Sequence, residues 1–170
     1  MDRNTTDSDR PDLHTQEIEY PGETGPVRAY LARPKGETQH PAVIVIHENR
    51  GLQPHIQDVA RRVAAEGFLA LAPDALSPLG GTPEDEDQAR SLIGELDREA
   101  TVQDMVAAVA YLKTDPLSTG DVGCTGFCWG GGMTNQVAVH APDLKAAVPY
   151  YGRQPDAQDV PQIQASMLVH

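Results

Sequence analysis

The apolar residues of this chain change their period several times, and each change marks an element. Residues 16–20 and 27–32 alternate apolar and polar about Pro21-Gly22-Glu23-Thr24-Gly25, which predicts an opening antiparallel hairpin at a sheet edge. Residues 42–46 form a continuous β-branched run of the kind buried on both faces of a parallel sheet. Ile56, Val59, Ala60 and Val63 then repeat at helical spacing over residues 55–66, and Gly67 closes that helix. Residues 68–72 read as a second buried strand, and proline, glycine and serine make residues 73–83 a loop. Helices are expected over 84–96 and 99–113, the second with Val102, Met105, Val106, Val109 and Leu112 on one face. Strands at 121–126 and 144–150 flank a helix at 129–140, and residues 166–170 open a further strand. Strands alternating with helices predict an α/β fold, with a mostly parallel sheet and helices on both of its faces.

The junction at residues 121–132 carries the candidate chemistry. Gly126-Phe127-Cys128-Trp129-Gly130 runs from a strand through a tight turn into a helix, the arrangement of a nucleophile elbow with cysteine in the serine position. Small residues two positions either side of the nucleophile avoid clashes in that turn, and Gly126 and Gly130 meet the requirement. The unpaired N–H groups at the start of the next helix favour a thiolate at Cys128. Taken alone, the same glycines also fit a turn holding an inert cysteine.

Composition narrows the classes. A chain of 170 residues fits one domain with a sizeable core, and no stretch approaches the roughly 18 apolar residues of a membrane span. Residues 1–13 are polar and charged, which predicts a disordered tail ahead of a domain over 14–170. Cytoplasmic residence is the default. Cys124 and Cys128 are unsuited to a mutual disulfide and read as free thiols. The net charge of −12 argues against nucleic acid as a partner. With only Lys35, Lys113 and Lys145 as lysines, that acidity fits either a solvated surface or adaptation to salt. His14, His40, His47 and His55 lack metal-ligand spacing.

Ile44-Val45-Ile46-His47-Glu48-Asn49-Arg50-Gly51, Ala72-Pro73-Asp74, Gly126-Phe127-Cys128-Trp129-Gly130-Gly131 and Tyr150-Tyr151-Gly152, in that order, resemble the dienelactone hydrolase (carboxymethylenebutenolidase) family. The resemblance runs from about residue 15 to the end of the sequence. It implies an α/β-hydrolase fold, attack by a thiolate on a lactone or ester carbonyl, and no metal or organic cofactor. It makes Cys128 the nucleophile and Glu48 the group that governs its protonation. Read alone, Glu48 also suits a surface ion pair, for instance with Arg50. In this architecture the oxyanion hole is built from the backbone N–H after the nucleophile and one from the loop after an earlier strand, here Trp129 and Asn49.

Two departures from the family pattern bear on function. The triad's acid and histidine should follow the fourth buried strand, so they are expected beyond residue 170, with the chain as the front of a longer protein. His140 lies about 12 helical residues from Cys128, roughly 18 Å away, and suits a helix C-terminus instead. Asp156 and Asp159 precede the position of the family acid, and His170 falls in the last strand. Family members acting on dienelactone carry an arginine before the helix at 99–113; Glu86 aligns there, which leaves Arg90, one turn on, as the candidate for substrate binding. The leading expectation is a cysteine-nucleophile lactone or ester hydrolase, monomeric or dimeric, acting on a small molecule. A thioesterase or other esterase of the same fold and an inactive binding protein are the alternatives.

Overall fold

The computed structural model describes residues 12–170. Their elements are β1 (Leu13–Gly22), β2 (Gly25–Pro34), β3 (His40–Ile46), α1 (Pro54–Ala65), β4 (Leu69–Pro73), α2 (Glu86–Glu95), α3 (Arg98–Thr114), β5 (Ser118–Phe127), α4 (Trp129–His140), β6 (Ala146–Tyr150) and β7 (Ser166–Met167), with short 3-10 turns at Ser77–Leu79 and Val160–Gln162. The expected tail lies outside the described residues apart from its last positions, and Leu13 already pairs with Pro34 in the hairpin.

The sheet runs β1-β2-β4-β3-β5-β6-β7, antiparallel through β1, β2 and β4 and parallel from β4 onward. This is the expected mostly parallel α/β sheet, with the expected hairpin at one end. Of the two hairpin strands only β1 lies at the edge, because β2 pairs with β4 from Ala29↔Pro73 to Ala32↔Ala70. Packing explains the placement. Val27, Ala29 and Leu31 face α3 and α4, Tyr30 and Ala32 face α1, and a strand apolar on both sides is most stable inside the sheet. The same alternation continues inward, where Ile44, Ile46, Leu69, Leu71, Val122 and Cys124 enter the first core and Val45, Ala70 and Ala72 the second.

Acidic residues perform local work that a solvated surface would not require. Asp85 and Asp97 cap α2 and α3 by accepting from the N–H groups of Gln88 and Ala100, at 2.8 and 2.9 Å. Glu86 and Asp87 then lie in the first turn of α2, where the helix dipole favours them. Asp104 is a buried carboxylate on the inner face of α3. It accepts from Thr24 N–H at 3.0 Å and Thr24 Oγ1–H at 2.6 Å, so α3 ties down the hairpin turn.

Topology locates the site. The chain leaves β3 for β4 on one side and later returns to β5 on the other, so the crossovers diverge at the carboxyl ends of β3 and β5. Sheets of this kind open a crevice there.

Candidate active site

Cys128 occupies the turn between β5 and α4 with φ 56° and ψ −115°, a left-handed conformation uncommon for a residue with a side chain. The turn holds because its backbone is locked on both sides: Cys128 N–H donates to Tyr150 O at 3.0 Å, and Gly132 N–H to Cys128 O at 3.1 Å. Glycine is required around it by contact. A Cβ at Gly126 would overlap the Gly130 carbonyl, and one at Gly130 would overlap the carbonyls of Ile46 and His47. The start of α4 therefore rests directly on the end of β3.

The two thiols are both free and differently placed: Cys128 is exposed and Cys124 is buried. Burial pushes the Cys124 thiol up to about 12, with its S–H donated to Thr134 Oγ1 at 3.6 Å. Cys128 stands at the N-terminus of α4, where the Trp129 N–H has no helical partner. Among the described residues neither the Trp129 nor the Asn49 backbone N–H donates to a protein group.

The loop after β3 faces this helix end. His47 is fully buried and stacks on Trp129, with ring centroids 5.4 Å apart and planes 10° from parallel. One ring nitrogen, Nδ1, lies 2.7 Å from Glu48 O, and the other, Nε2, accepts from Ala75 N–H at 3.1 Å. A carbonyl can only accept and an amide N–H only donate, so the tautomer is Nδ1–H. Burial lowers the imidazole's pKa, outweighing the opposite pull of the Glu48 carbonyl and of the Asp74 and Glu48 charges. Next to this loop, Asp74 accepts from the N–H groups of Leu76 and Thr82 and from Thr82 Oγ1–H, at 2.7 to 3.0 Å. Thr82 Oγ1 in turn accepts from Leu52 N–H at 2.8 Å. The segments after β3 and β4 are thus one hydrogen-bonded unit.

Glu48 does not rest on the thiol. Its carboxylate accepts from His55 Nε2 at 3.3 Å, and the Cys128 sulfur makes no hydrogen bond among the described residues. A histidine in the first turn of α1 supplies a donor that the sequence reading did not anticipate. The charges of Glu48 and Cys128 nevertheless reach one common group. Desolvation first, and then both of these residues, raise the pKa of the Tyr151 phenol. Tyr151 itself has φ 36° and is largely exposed.

Two arginines near the site make ion pairs with α2. Arg50 pairs with Glu86 at 2.6 Å, which fastens the loop after β3 to α2. Arg90 pairs with Asp87 at 3.6 Å on its own helix. Beside Trp129 a cavity of about 250 Å³ is lined by Ile93, Leu96, Met133, Arg98 and Arg153. His170 stacks on Tyr150 and hydrogen-bonds along the β6 edge, and Asp156 lies in an exposed turn. Among the described residues no group of acidic, histidine and cysteine side chains is arranged to hold a metal, and no helix is long and apolar enough to cross a membrane.

A mostly parallel sheet with a strained strand-to-helix turn at its centre defines the α/β-hydrolase class. Within it, the family model "Dienelactone hydrolase family" matches residues 27–170, and the chain belongs to that family. A protein of Methylorubrum extorquens provisionally named a carboxymethylenebutenolidase is 37% identical over 153 residues, covering 88% of this chain and 53% of its own. One of Yersinia pestis with the same provisional name is 36% identical over 147 residues, covering 83% and 54%. The crystal structure of a dienelactone hydrolase-like promiscuous phosphotriesterase from metagenomic libraries superposes with a TM-score of 0.80 at 28% identity, over 93% of this chain and 68% of that one. The chain thus spans about half the length of these curated relatives.

Proposed function

We propose that this protein is a dienelactone hydrolase-like enzyme that cleaves a lactone or carboxylic ester through the thiolate of Cys128. The observation that carries this reading is the placement of Cys128, exposed at positive φ on the helix N-terminus beside the free Trp129 N–H. The thiolate adds to the carbonyl carbon, and the carbonyl oxygen takes up the electron pair as an oxyanion. The N–H groups of Trp129 and Asn49 stabilise it, each such donor contributing about 3 to 4 kcal/mol in well-studied enzymes. Collapse expels the alkoxide, which takes a proton, and leaves a thioester on Cys128; water then releases the acid. Glu48 accepts the thiol proton after leaving its hydrogen bond with His55.

The aspartate and histidine that would drive the water step are assigned to residues beyond 170. Support comes from the length of the relatives and from the positions of His140, Asp156, Asp159 and His170, none of which meets Cys128. Residence in the cytoplasm without cofactor or nucleic-acid partner completes the reading. The test is p-nitrophenyl acetate with wild type and Cys128→Ala. Stoichiometric release of nitrophenolate, with an acetyl group on Cys128 by mass spectrometry and no release from Cys128→Ala, supports it. Release that survives Cys128→Ala would overturn it.

A further inference from the structure

We infer that His47 is a positioning residue that aims the oxyanion-hole donors, holding one through its partner carbonyl and the other through its ring. The inference rests on the reading of Cys128 as an acyl-accepting nucleophile. It begins with the peptide between Glu48 and Asn49. The Glu48 carbonyl and the Asn49 N–H are the two ends of one planar unit, and no peptide bond among the described residues is cis. In a trans peptide these groups point in opposite directions. Whatever fixes the carbonyl therefore fixes the direction of the N–H.

His47 fixes the carbonyl through Nδ1–H at 2.7 Å, shorter than the 3.4 Å contact from Gly51 N–H to the same oxygen. The imidazole is itself immobilised, since its Nε2 accepts from Ala75 N–H in the segment after β4. Its flat face lies on the Trp129 ring, whose residue supplies the second donor. The His47 carbonyl, finally, is the surface on which Gly130 packs. One buried residue thus touches both halves of the proposed hole. A phenylalanine there would keep the stack and lose the hydrogen bonds. An asparagine would keep a donor near the Nδ1 position with less bulk.

Two reactions of the same sulfur separate positioning from folding. Acetylation by p-nitrophenyl acetate passes through an oxyanion, whereas alkylation by iodoacetamide does not. In His47→Phe the rate of Cys128 acetylation should fall at least about tenfold, part of the roughly hundredfold or more that outright loss of an oxyanion donor costs. Alkylation of Cys128 should stay within about twofold of wild type, and His47→Asn should recover part of the acetylation rate. Wild-type acetylation in His47→Phe would overturn the inference while leaving the nucleophile assignment intact. Equal losses of acetylation and alkylation in both variants would overturn it too, since His47 would then serve only the fold. A wild-type protein that never acetylates Cys128 would remove the underlying reading itself.

Discussion

Cys124 and Cys128 belong to one strand-turn unit and meet opposite environments, which makes them each other's control. Iodoacetamide near neutral pH is expected to modify Cys128 and spare Cys124, whose thiol is buried and pushed up to about 12. Peptide mapping reads this directly, and preferential labelling of Cys124 would undo the assignment. His47 offers a second residue-scale test through acidity. Its pKa is lowered in the fold from an ordinary value of about 6.5, so the unfolded chain binds a proton more readily than the folded one. The stability it contributes is present above about pH 6.5 and is lost as pH falls toward the folded value. His47→Phe should therefore flatten the acid side of the melting-temperature profile between about pH 7 and 5; an unchanged slope would show that other groups govern it.

At the scale of elements, two substitutions on helix starts should destabilise by different means. Gly130→Ala drives a Cβ into the carbonyls of Ile46 and His47, which are backbone and cannot rotate away, so a loss of about 1–3 kcal/mol is expected. Asp97→Ala removes an exposed cap from α3 and should cost about 1 kcal/mol. Denaturant melts compare them, and a neutral Gly130→Ala would mean that β3 and α4 can separate without penalty. Most elements were legible because each buried face leaves a period in the sequence, as in Val102, Met105 and Val109 of α3. The interior place of β2 was not, since its partner β4 lies across α1 in the chain. Asp104 escaped for a related reason. A carboxylate that caps a turn 80 residues earlier leaves no periodic trace.

For the molecule as a whole, the proposed reading separates acylation from turnover. On the proposal that the acid and histidine of the water step lie outside them, these 170 residues should acetylate Cys128 once and then stall. Sustained release of nitrophenolate at an enzyme-like rate would place the missing groups within these residues. The elbow was visible in the sequence because Gly126, Cys128 and Gly130 must be close together along the chain. The rest of the site was less visible because it is assembled across gaps. Glu48 meets His55, Asp74 meets Thr82, and His47 meets Ala75 and Trp129, each pair set by the fold rather than by spacing.

The left-handed backbone at Cys128 has an evolutionary consequence. A side chain held at φ 56° costs of order 1–3 kcal/mol, and glycine adopts that conformation freely. Persistence and chemistry therefore pull this position in opposite directions. A library varied at residue 128 and selected for heat resistance alone should drift to glycine, each step a gain in durability and a loss of the thiol. Were glycine depleted in such a library, the turn would carry no strain and the conflict would not exist.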